Sequence, residues 1–242
     1  GDSGFCVALG EPDGERTFVT MPGVESETTA DDLAAIEPNG SDAVAFSGYD
    51  LAYPRSGPAL AAWLDRLPGD VLVALDPGPL LAEVPAERME RVLRRTTLLT
   101  LSQREARLAS GAGQATGGEL LGALRDRLPL PSRSLIVLRE GAAGCVATGG
   151  ALGTRVVAVP APRVHAVDTT GAGDTHTGVL LAGLIAGQRI EEALAVATFA
   201  AALSVTRLGP ATAPTKAELA NISTEKAGDG TINIKAIGFA TS

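Results

Sequence analysis

Val167-Asp168-Thr169-Thr170-Gly171-Ala172-Gly173-Asp174-Thr175-His176-Thr177-Gly178 runs directly into the apolar segment Val179 to Ala186. Small residues at 171 to 173 allow a backbone turn that exposes consecutive N–H groups, and the helix expected to follow adds its positive dipole end to the same spot. Such a turn is a seat for an anion. Asp174 at its rim would repel that anion, so its presence asks for a role. One role is general base: the carboxylate accepts a proton from a substrate hydroxyl while the exposed N–H groups steady charge on a phosphoryl group in transfer. The other reading is an N-cap carboxylate on an ordinary helix. The spacing of Gly171, Gly173 and Gly178 is not the dinucleotide-binding fingerprint, and no Gly-rich loop ends in Lys-Ser or Lys-Thr as a P-loop requires.

Outward from this stretch, two helices close the pattern, Gly173 to Ala186 ended by Gly187, and Ile190 to Val205 ended near Gly209. The second is rich in Ala and apolar nearly all round, so it is expected to be buried. Upstream the order is regular. After a helix at Thr29 to Ile36 come strand Ala43 to Phe46, helix Gly57 to Leu67, strand Val71 to Leu75 and helix Ala86 to Arg95. Strand Thr97 to Leu101, helices Arg104 to Ala109 and Glu119 to Leu128, and strand Leu135 to Leu138 follow. Short apolar strands alternating with helices indicate a mostly parallel, doubly wound α/β sheet covered on both faces, with its ligand crevice beyond the carboxyl ends of the strands. Asp76 with Pro77-Gly78, Ser102 with Glu105, and Arg139 with Glu140-Gly141 all fall at those ends. The chain opens with a hairpin, Gly4 to Leu9 and Glu15 to Thr20 around Gly10-Glu11-Pro12-Asp13-Gly14. A second is expected from Cys145 to Thr148 and Arg155 to Val159.

The 242 residues are 45% hydrophobic and carry a net charge of −8, enough for one sizeable core and unsuited to a nucleic-acid or anionic-membrane partner. An anionic substrate has to be met locally. Cys6 and Cys145 lie far apart, each in an apolar run, and are expected to be buried thiols of a reducing compartment. No apolar run reaches the ~20 residues of a membrane span, and no basic-then-apolar leader opens the sequence, so a cytoplasmic protein is expected. His165 and His176 do not make a metal site without help. The lysines, Lys216, Lys226 and Lys235, all follow residue 215, whereas the 17 arginines precede it. That shift marks about Asn221 to Ser242 either as a segment of separate origin or as an extension with a local bias, with a strand pair around Gly228-Asp229-Gly230. The main unit is then residues 1–220, with a lid-like hairpin at 1–28.

Asp168-Thr169-Thr170-Gly171-Ala172-Gly173-Asp174, then Gly178, then Val205-Thr206-Arg207-Leu208-Gly209, resembles the C-terminal signature of the ribokinase-like sugar and nucleoside kinases, the phosphofructokinase-B superfamily. The resemblance implies transfer of the γ-phosphoryl group of ATP to a primary hydroxyl of a sugar, with Mg²⁺ bridging the phosphates. A nucleoside acceptor, or a non-catalytic nucleotide- or sugar-binding relic, remains open. Asp174 matches the catalytic base, and the N–H groups of Gly171, Ala172 and Gly173 match the anion hole. Arg139 and the loop Gly141 to Gly144 resemble the segment that touches nucleotide phosphates. Ser102-Gln103-Arg104-Glu105 resembles the family's Asn-x-x-Glu element, which supports magnesium through water; Ser stands where the family has Asn. Asp168 and the carbonyls of Thr170, Ser204, Arg207 and Gly209 match a loop for a monovalent cation such as K⁺, with Ala213 where another oxygen ligand is often found. His176 stands where Phe is usual and reads as a packed helix residue. The resemblance spans about residues 1 to 219, whereas family members carry a further front portion that supplies the first strands, most of the lid and the residues that hold the sugar. The chain is therefore expected to begin mid-fold, and a homodimer through lid strands is implied.

Overall fold

The computed structural model describes residues 1–10, 16–220, 222–226 and 231–236. The chain opens with the antiparallel pair β1 (Phe5–Gly10) and β2 (Arg16–Met21), Val7 opposite Val19. The turn expected between them falls largely at 11–15, outside the described residues. Among the described residues no layer buries this hairpin's apolar side chains, and Cys6, expected inside, is exposed. Being in an apolar run was not enough to bury it, because a two-stranded ribbon alone has no interior.

After a 3₁₀ turn at Val24–Glu27 comes α1 (Ala30–Ala34), capped by Thr29 and shorter than expected. The central sheet follows as β3 (Ala43–Ser47), β4 (Leu72–Asp76), β5 (Leu98–Ser102), β6 (Leu135–Arg139), β7 (Cys145–Thr148) and β8 (Val157–Val159), adjacent in that order. β3 to β6 pair in parallel, and β7 and β8 form the expected hairpin, β7 antiparallel to β6. The fold is the mostly parallel, doubly wound α/β sheet that the strand and helix alternation implied.

Helices occupy both faces: the right-handed crossovers between β3, β4, β5 and β6 put their helices on one, and the helices after β8 cover the other. On one face lie α2 (Gly48–Ala52), α3 (Ser56–Leu64), α4 (Ala86–Leu93), α5 (Gln103–Ser110) and α6 (Gly117–Arg127). They cover Val73, Leu75, Leu99, Leu101, Ile136 and Leu138. On the other lie α7 (Ala172–Ile185) and α8 (Ile190–Ser204), over Ala74, Leu98, Leu135, Val137 and Cys145. The two sets alternate along each strand, the period-2 signature of a sheet buried twice. α8 is buried as its Ala-rich composition required. The expected helix to Leu67 stops at Leu64, where the chain tightens into turns ending at Pro68. α2 has no counterpart in the sequence reading, though its signal is there: Ser47 and Asp50 cap each other across the first turn.

The chain continues through α9 (Lys216–Leu219) into the antiparallel pair β9 (Ile222–Lys226) and β10 (Ile232–Ala236). The turn expected at Gly228-Asp229-Gly230 lies outside the described residues. Ile232 is buried in the α7/α8 layer, so this segment joins the main core. Among the described residues no helix is long and apolar enough to cross a membrane.

Leu138 is fully buried between the sheet and the α5/α6 face. Leu138→Ala is expected to lower stability by about 2–5 kcal/mol, read as the shift of the urea midpoint at unchanged slope. A loss under about 1 kcal/mol would mean that this layer is not tightly packed.

Candidate active site

The site grows from side-chain parity. Asp76, Ser102 and Arg139 are the last residues of β4, β5 and β6, and each shares the face of Ala74, Leu98 and Val137, the face covered by α7. Parallel register sets Ser102 beside Arg139 as a ledge under the N-terminus of α7, and, with Ala74 paired to Leu98, Asp76 ends β4 two residues below that level. There the Arg139 guanidinium grips Asp76 with both terminal nitrogens, Nη1 to Oδ2 at 2.5 Å and Nη2 to Oδ1 at 3.2 Å. Nη2 also lies 3.6 Å from Glu105 Oε2, and Nη1 lies 3.4 Å from Thr177 Oγ1. The Arg139, Asp76 and Glu105 side chains are 15%, 19% and 13% exposed, so these charges meet in a setting that screens them poorly.

Gly171 caps α7 in the left-handed conformation (φ 76°), and a Cβ there would stand 2.2 Å from the Pro210 carbonyl oxygen. Glycine is required on both counts. Of the expected anion-hole donors, Ala172 N–H is turned back to the Thr169 carbonyl at 3.3 Å, while Gly171 and Gly173 N–H have no partner among the described residues. Gly173 meets Arg139: a Cβ at 173 would fall 2.8 Å from Nη1. Asp174 is exposed, in the first turn of α7, and makes no capping hydrogen bond, so the N-cap reading of its carboxylate does not hold.

Ser102 and Glu105 form a capping box at the start of α5, Glu105 Oε2 accepting from Ser102 N–H at 2.8 Å and Ser102 Oγ from Glu105 N–H at 3.3 Å. Gln103 donates to Glu140 at 2.9 Å, tying that turn to the loop after β6. Gly141 opens a 3₁₀ turn that ends at Gly144 (φ 102°), and the Arg139 side chain leaves this loop for the α7 N-terminus. Tyr49, at the start of α2, borders Gly78: a Cβ on Gly78 would lie 3.6 Å from its ring. Partial burial raises the Tyr49 phenol above its ordinary pKa, and the charges of Cys6, Glu105, Asp174 and Asp76 raise it further, which places the ring among the site's carboxylates.

The second signature block meets the first. Asp168 Oδ1 accepts from Thr170 N–H (2.9 Å) and O–H (2.7 Å), and Asp168 Oδ2 accepts from Gly209 N–H (3.0 Å). The Ser204 and Gly209 carbonyls converge on the Thr212 hydroxyl at 2.9 and 3.4 Å. The Arg207 side chain pairs with Glu218. The oxygens of this loop have the hard-donor chemistry that suits a monovalent cation. Asp76, Glu105 and Asp174 outnumber Arg139, and such an excess of negative charge fits a divalent cation arriving with phosphates. Among the described residues no cluster of His, Cys, Asp and Glu could hold a metal by itself. An apolar cleft of about 600 Å³ beside α4, lined by Leu75, Leu81, Met89 and Leu99, contains none of these groups.

Asp76, Thr177 and Tyr49 carry no role in the sequence reading. For Asp76 a signal existed: an acid ending one strand, on the same parity as the Arg ending another.

The fold is that of the ribokinase-like kinases. Thermotoga maritima ribokinase superposes with a TM-score of 0.69 at 22% identity, over 90% of this chain and 68% of that one. A Vibrio cholerae fructokinase, solved with fructose, ADP and calcium, gives 0.71 at 22%, over 89% and 72%. The description pfkB family carbohydrate kinase matches residues 1–217, and the chain belongs to that family. The uncharacterized sugar kinase YegV of Escherichia coli K12 is 34% identical over 219 residues, 90% of this chain and 66% of that one, so the chain spans just under two thirds of that relative's length.

His176 is buried on α7, its Nε2 3.4 Å from the Thr198 hydroxyl and its Nδ1 without a partner among the described residues. Burial, with help from the nearby Arg139 charge, lowers its pKa from 6.5 to about 3. The unfolded chain therefore takes up a proton near pH 6.5 that the folded chain refuses until about pH 3, and stability falls as pH drops through that window. Against His176→Phe, the parent is expected to lose about 1.4 kcal/mol more for each pH unit below 6.5, read from urea midpoints between pH 7 and 5. Parallel curves would contradict a buried neutral imidazole.

Proposed function

We propose that the protein is an ATP-dependent sugar kinase that phosphorylates a primary hydroxyl, with Asp174 as general base. The observation that carries the reading is the exposed, unbonded Asp174 carboxylate one turn into a helix whose first N–H groups at Gly171 and Gly173 are free among the described residues. A carboxylate tied into a cap could not take up a proton from a substrate; this one can. Membership of a carbohydrate kinase family and likeness to a relative named a sugar kinase support a sugar over a nucleoside acceptor.

In the step, the acceptor O–H proton passes to the Asp174 carboxylate as the acceptor oxygen bonds to the γ-phosphorus. The bond from that phosphorus to the β,γ-bridging oxygen breaks, and ADP leaves with the electron pair. Gly171 and Gly173 N–H face the oxygens of the moving group, and Arg139 and the α7 dipole add positive potential. Mg²⁺ would neutralise the phosphates; Glu105, through Ser102 at the head of α5, would orient its water shell. The 168–170 and 204–212 loops would hold K⁺ away from the acceptor, fixing the turn before Gly171.

On the hairpin, Phe5, Val7, Leu9, Val19 and Met21 are exposed and share one face by strand alternation. We read that face as the contact with a second copy. In sedimentation velocity, the double variant Val7→Lys, Val19→Lys is expected to be monomeric at concentrations where the parent is dimeric; unchanged sedimentation would refute the contact.

Asp174→Asn is expected to leave ATP affinity within a few-fold and to lower turnover about a hundredfold or more. A panel of sugars and nucleosides with phosphoryl transfer followed by mass spectrometry checks both the acceptor and this loss. Turnover within a few-fold of the parent would refute the base, and product on nucleosides alone would refute the sugar.

A further inference from the structure

We propose that Asp76 is a positioning residue: it holds the Arg139 guanidinium flat beneath the first turn of α7, so that its charge is added to the Gly171 and Gly173 N–H groups where the phosphoryl group passes. The inference rests on the phosphotransfer reading above.

Asp76 meets Arg139 fork to fork, an arrangement that fixes the plane of the guanidinium as well as its position. Thr177 and Glu105 face the remaining directions of the terminal nitrogens. Arg139 is therefore not free to clasp a nucleotide phosphate with a second fork, the role its place before a Gly-rich loop implied. What it can offer is charge at close range. Nη1 is the atom nearest Gly173, where a Cβ would stand only 2.8 Å away, and Cζ follows at 3.3 Å. The guanidinium thus lies against the residue whose N–H is a free donor of the α7 turn, and a side chain at 173 would displace it.

The burial of the pair gives the arrangement its force. A guanidinium 15% exposed beside a carboxylate 19% exposed is little screened, so a shift in its position changes the potential at the α7 N-terminus steeply. Without Asp76, Arg139 would turn toward Glu105 or toward solvent. Asp76 itself lies below the ledge and, in this reading, touches no substrate.

The test uses the full-length protein and two probes, ADP alone and ADP with aluminium fluoride, a mimic of the migrating phosphoryl group, with affinities from calorimetry. Asp76→Asn is expected to weaken the mimic at least tenfold and ADP less than threefold. Arg139→Lys, which keeps the charge but not the fork, should do the same, and the double variant should be no weaker than the weaker single one. Mimic binding within threefold of the parent, equal losses for both probes, or a double variant carrying the product of the two single losses would each overturn the proposal. Should Asp76→Asn fail to fold, Asp76→Glu is read by the same criteria. A parent that binds the mimic no better than ADP overturns the phosphotransfer reading and this inference with it; a parent that prefers the mimic, with Asp76→Asn unchanged, overturns this inference alone.

Discussion

The pairing of one guanidinium with one carboxylate, each largely withdrawn from water, is the interaction on which the carboxyl edge of the sheet depends. Asp76 could not stay charged in that position without Arg139, because an uncompensated charge so little solvated is expensive. The pair links the ends of β4 and β6 across β5, and Thr177 Oγ1, 3.4 Å from Arg139 Nη1, joins α7 to it. The electrostatics of the site follow. A positive charge is tethered under a helix N-terminus, carboxylates flank it, and one further carboxylate, Asp174, stays unbonded at the rim.

This arrangement could not form in a sheet of another kind. Parallel pairing brings the carboxyl ends of the strands to one edge, Ser102 level with Arg139 and Asp76 two residues below, and period-2 alternation points all three to the same side. The crossover helices α2 to α6 cover the other face, α7 and α8 cover this one after the β7–β8 hairpin, and the turn at Gly171 delivers N–H groups onto the ledge. Gly171 and Gly173 are constrained for different reasons. The first adopts a left-handed backbone against Pro210, and the second makes room for Arg139.

Much of this was legible in the sequence because it is carried by local pattern. Apolar strands of near-constant length, alternating with helices, gave the doubly wound sheet, and the Gly171-Ala172-Gly173-Asp174 turn gave the helix start and the free carboxylate. The family resemblance set Asp168 and Gly209 in one cation loop, and in the structure Gly209 N–H donates to Asp168. What stayed hidden depends on pairing across distance. Asp76 and Arg139 are 63 residues apart, and nothing local says that their strands are two apart in the sheet. Ala172 looked like a third anion donor, but its N–H bends back onto Thr169, a detail of turn geometry that small residues permit without dictating. Cys6 looked buried because its neighbours are apolar, yet burial needs a second layer, and none covers it among the described residues. The α2 helix escaped because only five residues follow β3 with no break between, and its capping box was the sole mark.

Kinase chemistry at this ledge requires the rim carboxylate and the α7 N–H groups to serve one reaction centre. The most direct measurement is a crystal structure of the full-length protein with ADP, aluminium fluoride and the phosphorylated acceptor's parent alcohol. A shared centre places an Asp174 carboxylate oxygen within about 3.2 Å of the acceptor hydroxyl, with the fluoride group against Gly171 and Gly173 N–H. An Asp174 side chain turned to solvent, with the alcohol held by another base, would contradict it.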